Sequence, residues 1–562
     1  MWKRSNACSR PVLILRGLDF TSTSLCSFEG SPSCVPGGQG ERETPLPIPN
    51  RAVKPLSADG TPDSRPRESR SLPGFIEKGR REAALRRFGT GTIVAMKTAR
   101  VGAPVIVVGA GLSGLTCALR LAESGVAVTV LEAAHEVGGR ARTLSVGGQP
   151  LDRGFQSLFS AYPRTSRLLR DVGIRRRDLI PFDRGAVVHD GASWERMSAS
   201  PTGVMRFSAF SAGDVRRLAA LGAEVAAVPT GRVLAGDERH ATALEYLRAR
   251  GFTERAIDGF FSPLFGVITA DRDLGSDAAY LRFLIQMMLR GPAVIPVEGH
   301  GMVSRWAAAR VRQLGGVVRM GARVGAIVTA PEDRGHARGV TVDGAGFVAA
   351  AAVVVATDAP AARSLFAELD RECARALDVR PRGVTTLAYE LGASFHTGRM
   401  IVLNAHRDAG SAQIDLVCQE SNLLPCHPAD TGARLLATSV DGPEGAADPG
   451  ALEAAMAALA ARWNPGFPWS RSARLVEVVR QPWAQFAVPP GARDALPGPK
   501  TAVGNVFLAG DVTLHPSIEG AVVAGERAAL TAREALAAIR SSRSFERRTL
   551  PASSRSGRSL NS

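Results

Sequence analysis

Six residues near position 110 combine glycines with small side chains in a pattern that suits phosphate binding. The motif reads Gly109-Ala110-Gly111-Leu112-Ser113-Gly114. Gly109 would allow a tight turn, Gly111 a close approach of the backbone to a pyrophosphate, and Gly114 close packing of a helix on a strand. Free N–H groups in the first turn of that helix would face phosphate oxygens. Glu132, 18 residues after the motif, would accept hydrogen bonds from ribose hydroxyls. Together these residues predict a dinucleotide site.

The segments around this motif have the composition of a strand, a helix and a second strand. Val105–Val108 is a β-branched run of the kind found in strands that are buried on both faces. Residues 115–124 have helical composition, Gly125 suits a helix C-cap, and residues 126–131 resemble another strand. Such a βαβ unit would place the glycine motif directly after a buried strand.

A second glycine-rich stretch follows Glu132. It reads Gly138-Gly139-Arg140-Ala141-Arg142-Thr143. Its glycines would let the chain approach a cofactor closely, and an arginine fork suits pyrophosphate oxygens. Ordinary surface charge is the alternative interpretation of Arg140 and Arg142. Asp152-Arg153-Gly154 comes shortly afterwards.

A third stretch lies far along the chain. It reads Asn505-Val506-Phe507-Leu508-Ala509-Gly510-Asp511, which indicates a strand that ends in Gly-Asp. Glu519-Gly520-Ala521-Val522 then opens a helix that runs towards Leu536. If all three stretches serve one ligand, Gly510 and Asp511 must lie beside the first motif in space.

With these three stretches, the sequence resembles the flavin-containing amine oxidase superfamily, which includes phytoene desaturases and protoporphyrinogen oxidases. The resemblance covers about residues 100–540 and implies FAD as the cofactor. It implies that Asp511 contacts the ribitol or phosphate region and that the helix from Gly520 directs its N-terminus at the flavin pyrimidine. Val324 occupies the place where this family often contacts adenosine. The residues predicted to bind the cofactor are Gly109, Gly111, Leu112, Ser113, Gly114, Glu132, Gly138, Gly139, Arg140, Val324, Gly510, Asp511, Gly520 and Ala521. We expect non-covalent binding, because no cysteine follows Cys426.

The resemblance implies an FAD-dependent oxidoreductase of the desaturase or oxidase type, which removes a hydride from a bulky apolar organic substrate. Amine oxidases usually carry an aromatic residue just before the C-terminal Glu-Gly, whereas residues 514–518 here read Leu-His-Pro-Ser-Ile. A flavin amine oxidase is therefore an alternative, as is a flavin-bearing binding protein without turnover. An NAD-dependent dehydrogenase is disfavoured by the Gly138–Arg140 and Gly510–Asp511 motifs.

No catalytic base is predicted, because the flavin itself accepts the hydride. Arg153, Gln156, Trp483 and His515 are candidates for positions near the flavin, although each could equally be structural. An aromatic and methionine-rich stretch could line a hydrophobic tunnel or a membrane-facing mouth, or could be ordinary core packing. Its members are Phe260, Phe261, Phe265, Tyr280, Phe283, Met287 and Met288.

These motifs predict an α/β fold with two interleaved domains. A Rossmann-like FAD-binding domain would be assembled from residues 100–190, 315–365 and 495–540. An α+β substrate domain would comprise residues 191–314 and 366–494. The hydrophobic share of 45% is sufficient for more than one core, and no run of about 18 apolar residues suggests a membrane-spanning helix.

The basic charge of the chain lies mostly in its terminal segments. Residues 1–95 and 541–562 are predicted to be disordered, the latter as a basic tail, and Met96 precedes the first strand closely enough to begin the compact part. Residues 1–100 and 541–562 together carry 12 of the 16 net positive charges, so we expect no nucleic-acid-binding face on the fold. The seven scattered cysteines, without a C-x-x-C pair, indicate no metal site and a reducing, cytoplasmic location. The expected partner is a small-molecule substrate. Peripheral membrane contact and the oligomeric state stay open.

Overall fold

The computed structural model describes residues 102–146, 149–154, 158–330, 333–406, 413–424, 433–442 and 445–549. The predictions for residues 1–95, for Gln156 and for residues 550–562 lie outside this part of the chain.

Within the described residues, the strands β1 to β20 are, in order, Val105–Val108, Val128–Leu131, Thr143–Val146, Gln149–Asp152, Leu158–Phe159, Leu179–Pro181, Gly185–His189, Trp194–Ser198, Ala293–Pro296, Val317–Arg319, Val324–Ala330, Asp333–Val342, Gly346–Ala349, Ala352–Val355, Pro381–Leu391, Ile401–Asn404, Leu416–Cys418, Ala433–Val440, Ala473–Phe486 and Val506–Leu508. The α-helices α1 to α15 are Leu112–Glu123, Pro163–Asp171, Pro201–Arg206, Ala212–Ala227, Thr230–Ala235, Ala243–Ala249, Glu254–Ala256, Ser262–Ile268, Ala278–Arg290, Gly301–Gln313, Ala359–Phe366, Arg371–Ala376, Pro449–Trp463, Trp469–Ser472 and Ile518–Thr549.

A five-stranded parallel sheet joins segments that are distant in the sequence. Its strand order is β10-β2-β1-β14-β20, and every pairing is parallel. Strands β1, β14 and β20 are buried along their whole length, as expected for a parallel sheet covered on both faces. The mixed α/β class that the sequence predicts is therefore confirmed.

Alternating side chains of this sheet enter two different hydrophobic cores. Val105, Val107 and Val354 face a core formed with helices α1, α10 and α15. Ile106 and Val353 point the other way, into a core formed with helices α11 and α12. This period-two alternation is the geometry of a β-strand. Because the pairings are parallel, the carboxyl ends of β1, β14 and β20 lie at one edge of the sheet.

A second, seven-stranded sheet has the order β19-β15-β18-β17-β16-β7-β8 and is antiparallel except for the pair β16 and β7. One of its faces packs on helix α13. Smaller sheets comprise β11-β12-β13, β3-β4 and β5-β9-β6. No single described helix is long and apolar enough to cross a membrane; one bent pair, residues 212–227 with 230–240, meets the length and composition criteria only in combination.

The structure places some segments differently from the predicted domain boundaries. Strand β7, within predicted segment 100–190, joins the seven-stranded sheet. Helix α10, within predicted segment 191–314, packs beside α1 in the core of the parallel sheet. Hydrophobic periodicity indicates the type of an element but does not reveal which of two cores it will join.

The helices at the two ends of the described chain also differ slightly from expectation. Helix α1 begins at Leu112, three residues earlier than predicted, and ends just before Gly125, whose φ of +73° suits the predicted cap. Helix α15 continues to Thr549, so the prediction of disorder is wrong for residues 541–549. The stretch after Gly525 has no helix breaker until Pro551, which explains the extension.

Candidate functional site

The three sequence motifs meet through direct hydrogen bonds at the carboxyl edge of the parallel sheet. The backbone N–H of Gly510 donates to the Ser113 hydroxyl at 2.8 Å. Arg140 donates two hydrogen bonds to the Asp511 carboxylate, at 2.9 and 2.6 Å. Such a bidentate guanidinium–carboxylate pair fixes orientation as well as distance. Residues that are far apart in the chain therefore form one local structure.

The N-terminus of helix α1 is left open towards this junction. Gly111 is its N-cap, with no side-chain cap and no acidic residue in the first turn. The first N–H groups of a helix have no partner within the helix and attract anions. A Cβ added to Gly111 would meet no atom within 4 Å. A Cβ added to Gly139 would lie 3.5 Å from the Cα of Gly111, so the two glycines are neighbours. The result is a strip of bare backbone beside a helix N-terminus.

Glu132 ends strand β2 on the same side. Its carboxylate accepts hydrogen bonds from the backbone N–H groups of Ala110, at 2.6 Å, and Ala134, at 2.9 Å. Each oxygen receives one donor and keeps acceptor capacity for another. The carboxylate is thus held in place by backbone and can still accept hydroxyl donors.

These groups line a cavity of 710 Å³, within the size range of small-molecule and cofactor sites. Its glycine wall contains Gly109, Gly111, Glu132, Gly139, Val324, Gly510 and Asp511. Its aromatic wall contains Tyr162, Val267, Ile268, Tyr280, Leu284, Gln485, Ser517 and Ile518. The cavity therefore extends from the phosphate-type site into a mainly apolar chamber.

Uncharged polar groups are held firmly at the aromatic wall. The Tyr280 hydroxyl donates to the Pro516 carbonyl at 2.8 Å. The Ser517 hydroxyl accepts from the Gly520 N–H at 2.9 Å and is hydrogen-bonded to Nδ1 of His515 at 3.0 Å. Burial lowers the pKa of His515 to about 3 and raises the pKa of Tyr280. Both groups are neutral at physiological pH.

Helix α15 is anchored at this wall by its first residues. It begins at Ile518, so Ser517, Ile518 and Ala521 of its first turn line the cavity. The Glu519 carboxylate points elsewhere: it accepts from the N–H groups of Arg164 and Thr165, both at 2.9 Å, and so caps helix α2. The N-terminus of α15 consequently faces the cavity.

Twelve of the fourteen predicted cofactor-binding residues lie on the cavity wall, and Gly114 and Gly520 do not. A Cβ on Gly114 would lie 2.1 Å from the Gly109 carbonyl oxygen, and one on Gly520 would lie 2.1 Å from that of His515. These two glycines allow close packing behind the wall. The prediction of Gly520 as a contact residue thus differs from its observed position.

Among the predicted candidates near the flavin, Arg153 lines the cavity. Trp483 packs partly buried in the core between the parallel sheet and α11, and His515 lies behind the wall against Tyr280 and Phe283. Of the aromatic stretch, Tyr280 alone lines this cavity, and it also belongs to the core around helices α8 and α9, as the core-packing alternative predicts. The others belong to, or pack against, the core around helices α8 and α9: Phe260, Phe261, Phe265, Phe283, Met287 and Met288.

Sequence reasoning missed Tyr162, Ile268 and Gln485. Gln485 donates to the Ile268 carbonyl at 2.6 Å, and its Oε1 is buried without a hydrogen-bond partner within the described residues. One signal was available for tyrosine: the chain has four, and Tyr162 and Tyr280 both line the cavity. Gln485 is the second-to-last residue of the long strand β19 and carries no local signal.

The chain is similar to known proteins in sequence and in structure. Residues 112–531 match the family model described as flavin containing amine oxidoreductase. The chain is 31% identical over 173 residues to coproporphyrinogen III oxidase of Mycobacterium leprae, covering 29% of this chain and 37% of that one. It is 54% identical over 50 residues to hydroxyneurosporene desaturase of Cereibacter sphaeroides, covering 9% of this chain and 10% of that one. The chain thus spans little more than a third of the first relative.

Cyclohexylamine oxidase from Brevibacterium oxydans shares the fold. The structures superpose with a TM-score of 0.58 at 20% identity, covering 77% of this chain and 99% of that one. The family model covers most of the compact part and includes helix α1, most of the cavity lining and strand β20. The chain therefore belongs to the flavin containing amine oxidoreductase family.

Proposed function

We propose that the cavity binds FAD without a covalent bond and that the protein is an FAD-dependent oxidoreductase of the desaturase or oxidase type. One observation carries the proposal: Ser113 with Gly510, and Arg140 with Asp511, close a single cavity that has a helix N-terminus at one wall and a neutral aromatic chamber at the other. A dinucleotide with a large planar ring needs both walls.

The residues present fit the dinucleotide part of FAD. The bare backbone at Gly111 and Gly139 would admit the diphosphate against the N-terminus of α1. Glu132 would accept from the adenosine ribose, and Val324 would lie beside the adenine. This assignment makes the parallel sheet a Rossmann-like FAD-binding domain, with the seven-stranded sheet belonging to an interleaved substrate domain.

FAD, when bound, supplies the hydride acceptor, so the protein itself needs no strong acid or base. The aromatic wall would orient the substrate and exclude water from the reacting atoms. Tyr280 and His515 stay neutral there, because burial raises the pKa of the phenol and lowers that of the imidazole. A neutral, mainly apolar chamber suits a large organic reductant of the porphyrinogen or hydroxyneurosporene kind, the substrates named for the two relatives.

The cofactor assignment is tested on the purified protein. We expect flavin absorption bands, release of the flavin into the supernatant on acid precipitation, and co-elution of that flavin with FAD rather than FMN. A protein that is colourless, and whose melting temperature does not move with saturating FAD, would refute the assignment. Flavin that stays with the precipitate would refute non-covalent binding.

The reaction class is tested by anaerobic titration of the bound flavin. Bleaching by a porphyrinogen or by a polyene supports the proposed activity. Bleaching by cyclohexylamine alone would instead favour a flavin amine oxidase, the activity named for the structural neighbour. A flavin that none of these reductants bleaches would favour the binding protein without turnover.

A further inference from the structure

Two arginines lie side by side across the open end of a β-hairpin at the cavity. Strands β3 and β4 pair antiparallel, with Thr143 opposite Asp152. Arg142 precedes the first of these strands, and Arg153 follows the second. The Arg153 N–H donates to the Arg142 carbonyl at 3.3 Å, and both residues line the cavity. The hairpin register therefore places the two arginines opposite each other, close enough for the charge of Arg142 to act on Arg153.

The carboxylate nearest in sequence is already fully occupied. Asp152 is buried, and it accepts from the Thr143 hydroxyl and from the His300 N–H at 3.0 Å. Its second oxygen contacts Nδ1 of His300 at 2.5 Å. With its oxygens engaged on the far side of the hairpin, Asp152 is not the counterion of either arginine.

Neither guanidinium is well compensated elsewhere. The carboxylate paired with Arg142 is that of Glu136, 4.0 Å away and largely exposed, and Nε of Arg142 is buried with no hydrogen-bond partner in the described chain. Arg153 forms no ion pair with any described residue. Burial lowers its pKa, and the positive charge of Arg142 lowers it further.

The contrast with Arg140, another arginine of the cavity lining, is informative. Arg140 is neutralised by a bidentate pair with Asp511. Like charges in adjacent positions of two paired strands are unfavourable. The hairpin thus keeps two cations together at a cost in stability, beside a cavity, and the described residues provide no close anion that balances them.

We propose that Arg142 and Arg153 form an anion-binding pair that takes an oxyanion of a cavity ligand. This proposal rests on the proposed function and narrows the substrate class to ligands that carry an oxyanion. A substrate carboxylate is one source of the oxyanion, and the FAD diphosphate is the other. Under the proposed assignment the bare backbone at Gly111 and Gly139 and the N-terminus of α1 already bind the diphosphate, so the substrate carboxylate is the expected source. A carboxylate-bearing tetrapyrrole would then be preferred over a neutral polyene.

The experiment compares holoproteins carrying Arg153→Met, Arg142→Met or Arg153→Lys with wild type. Arg167→Met is the matched control, because Arg167 is an exposed arginine of helix α2 outside the cavity lining. The probes are coproporphyrin III, with four carboxylates, and its tetramethyl ester, which has the same ring without free carboxylates. Dissociation constants are measured by porphyrin fluorescence, and FAD affinity is measured on each apoprotein by flavin fluorescence.

We expect wild type to prefer the tetra-acid over the ester, and either methionine variant to reduce this preference at least about tenfold, since charged hydrogen bonds contribute that much to binding. Arg153→Lys should retain part of it, and Arg167→Met all of it. FAD affinity should change less than about threefold. A tenfold loss of FAD affinity with the preference retained would instead identify the diphosphate as the bound oxyanion.

The proposal also predicts how the variants change in stability. Removing one of two adjacent cations relieves repulsion, so both methionine variants should melt at or above the wild-type temperature. Lower melting temperatures, which indicate a structural role for the pair, or unchanged affinities for both porphyrin and FAD, would overturn the proposal. Wild-type protein that binds no flavin would refute the proposed function instead, so the two failures are distinguishable.

Discussion

The three glycines of the first motif should respond to substitution by alanine in different ways. A methyl group on Gly111 would stand in open space, and the backbone there has φ −72°, which any residue adopts. Gly111→Ala should therefore fold, with a loss in unfolding free energy of at most about 1 kcal/mol from the altered helix cap. The same methyl would occupy the position that a phosphate needs.

Gly109 and Gly114 present the opposite case. Gly109 has φ +104°, and its added Cβ would lie 2.8 Å from the Ala356 oxygen. A Cβ on Gly114 would lie 2.1 Å from the Gly109 oxygen, inside the junction of α1 and β1. Backbone strain and overpacking each cost about 1–3 kcal/mol. Gly109→Ala and Gly114→Ala should therefore destabilise the apoprotein itself.

The assay separates stability from binding. Urea unfolding of the apoproteins should rank Gly111→Ala close to wild type and the other two variants well below it. Titration with FAD should show about a 10- to 100-fold weaker affinity for Gly111→Ala, equivalent to one lost charged hydrogen bond. Gly231→Ala is the matched control, since Gly231 is an exposed helical glycine with no atom near its Cβ position. If Gly111→Ala binds FAD as wild type does, the phosphate is not at the N-terminus of α1.

Three further substitutions test the support of the aromatic wall. Burial lowers the pKa of His515 from 6.5 to about 3, so the stability of the folded protein is unaffected above pH 6.5 and falls as pH falls towards 3, because only the unfolded chain takes up the proton. His515→Gln should therefore remove about 1.4 kcal/mol per pH unit from the pH dependence of the unfolding free energy between about pH 6.5 and 4.5, measured by urea unfolding. Equal slopes for the variant and wild type would contradict this. Tyr280→Phe leaves the Pro516 carbonyl without its buried donor and should lower the unfolding free energy by about 1–3 kcal/mol. Because burial raises the pKa of the Tyr280 phenol, the substitution should not change the ionisations in the pH–rate profile. A profile that gains or loses an ionisation between about pH 6 and 9 would refute a neutral phenol. Asp277 caps helix α9 and accepts hydrogen bonds from Arg493 at 2.7 and 3.0 Å, so Asp277→Ala removes the cap and leaves Arg493 as an unpaired, largely buried cation. We expect the unfolding free energy to fall by about 3–5 kcal/mol. A melting temperature equal to that of wild type would contradict a stabilising role for this ion pair.

The parts of the site that the sequence predicted are those with local signals. Val105–Val108 and Gly109 are β-branched and glycine residues whose conformational preferences act over a few positions, so strand, turn and helix appeared as expected. Gly510 and Asp511 were placed beside the first motif only through the family resemblance, because no local preference reveals a contact between residues so far apart. The hydrogen bond from Gly510 to Ser113 confirms that these two motifs lie side by side.

The aromatic wall was not predictable in the same way. Phe265 and Tyr280 are both buried aromatic residues of the same core, yet only Tyr280 also lines the cavity. The difference depends on which face of a helix meets which neighbour, and that is fixed only when helices α8 and α9 pack. Gln485 belongs to a strand whose pairing partner, β15, lies about a hundred residues away. Long-range packing decides these positions.

The distribution of charge in the cavity connects these results. Asp511 neutralises Arg140, and backbone donors hold the Glu132 carboxylate in place, with acceptor capacity left for ligand hydroxyls. The open N-terminus of α1 carries only a partial positive charge. Among the described residues of the cavity lining, Arg142 has its paired carboxylate 4.0 Å away and Arg153 forms no ion pair, whereas the exposed Arg323 lies beside Val324, at the end of the cavity assigned to adenine. Attraction for a dinucleotide thus depends mainly on backbone geometry, whereas discrimination between anionic and neutral ligands depends on the hairpin, so substitutions should affect the two properties separately.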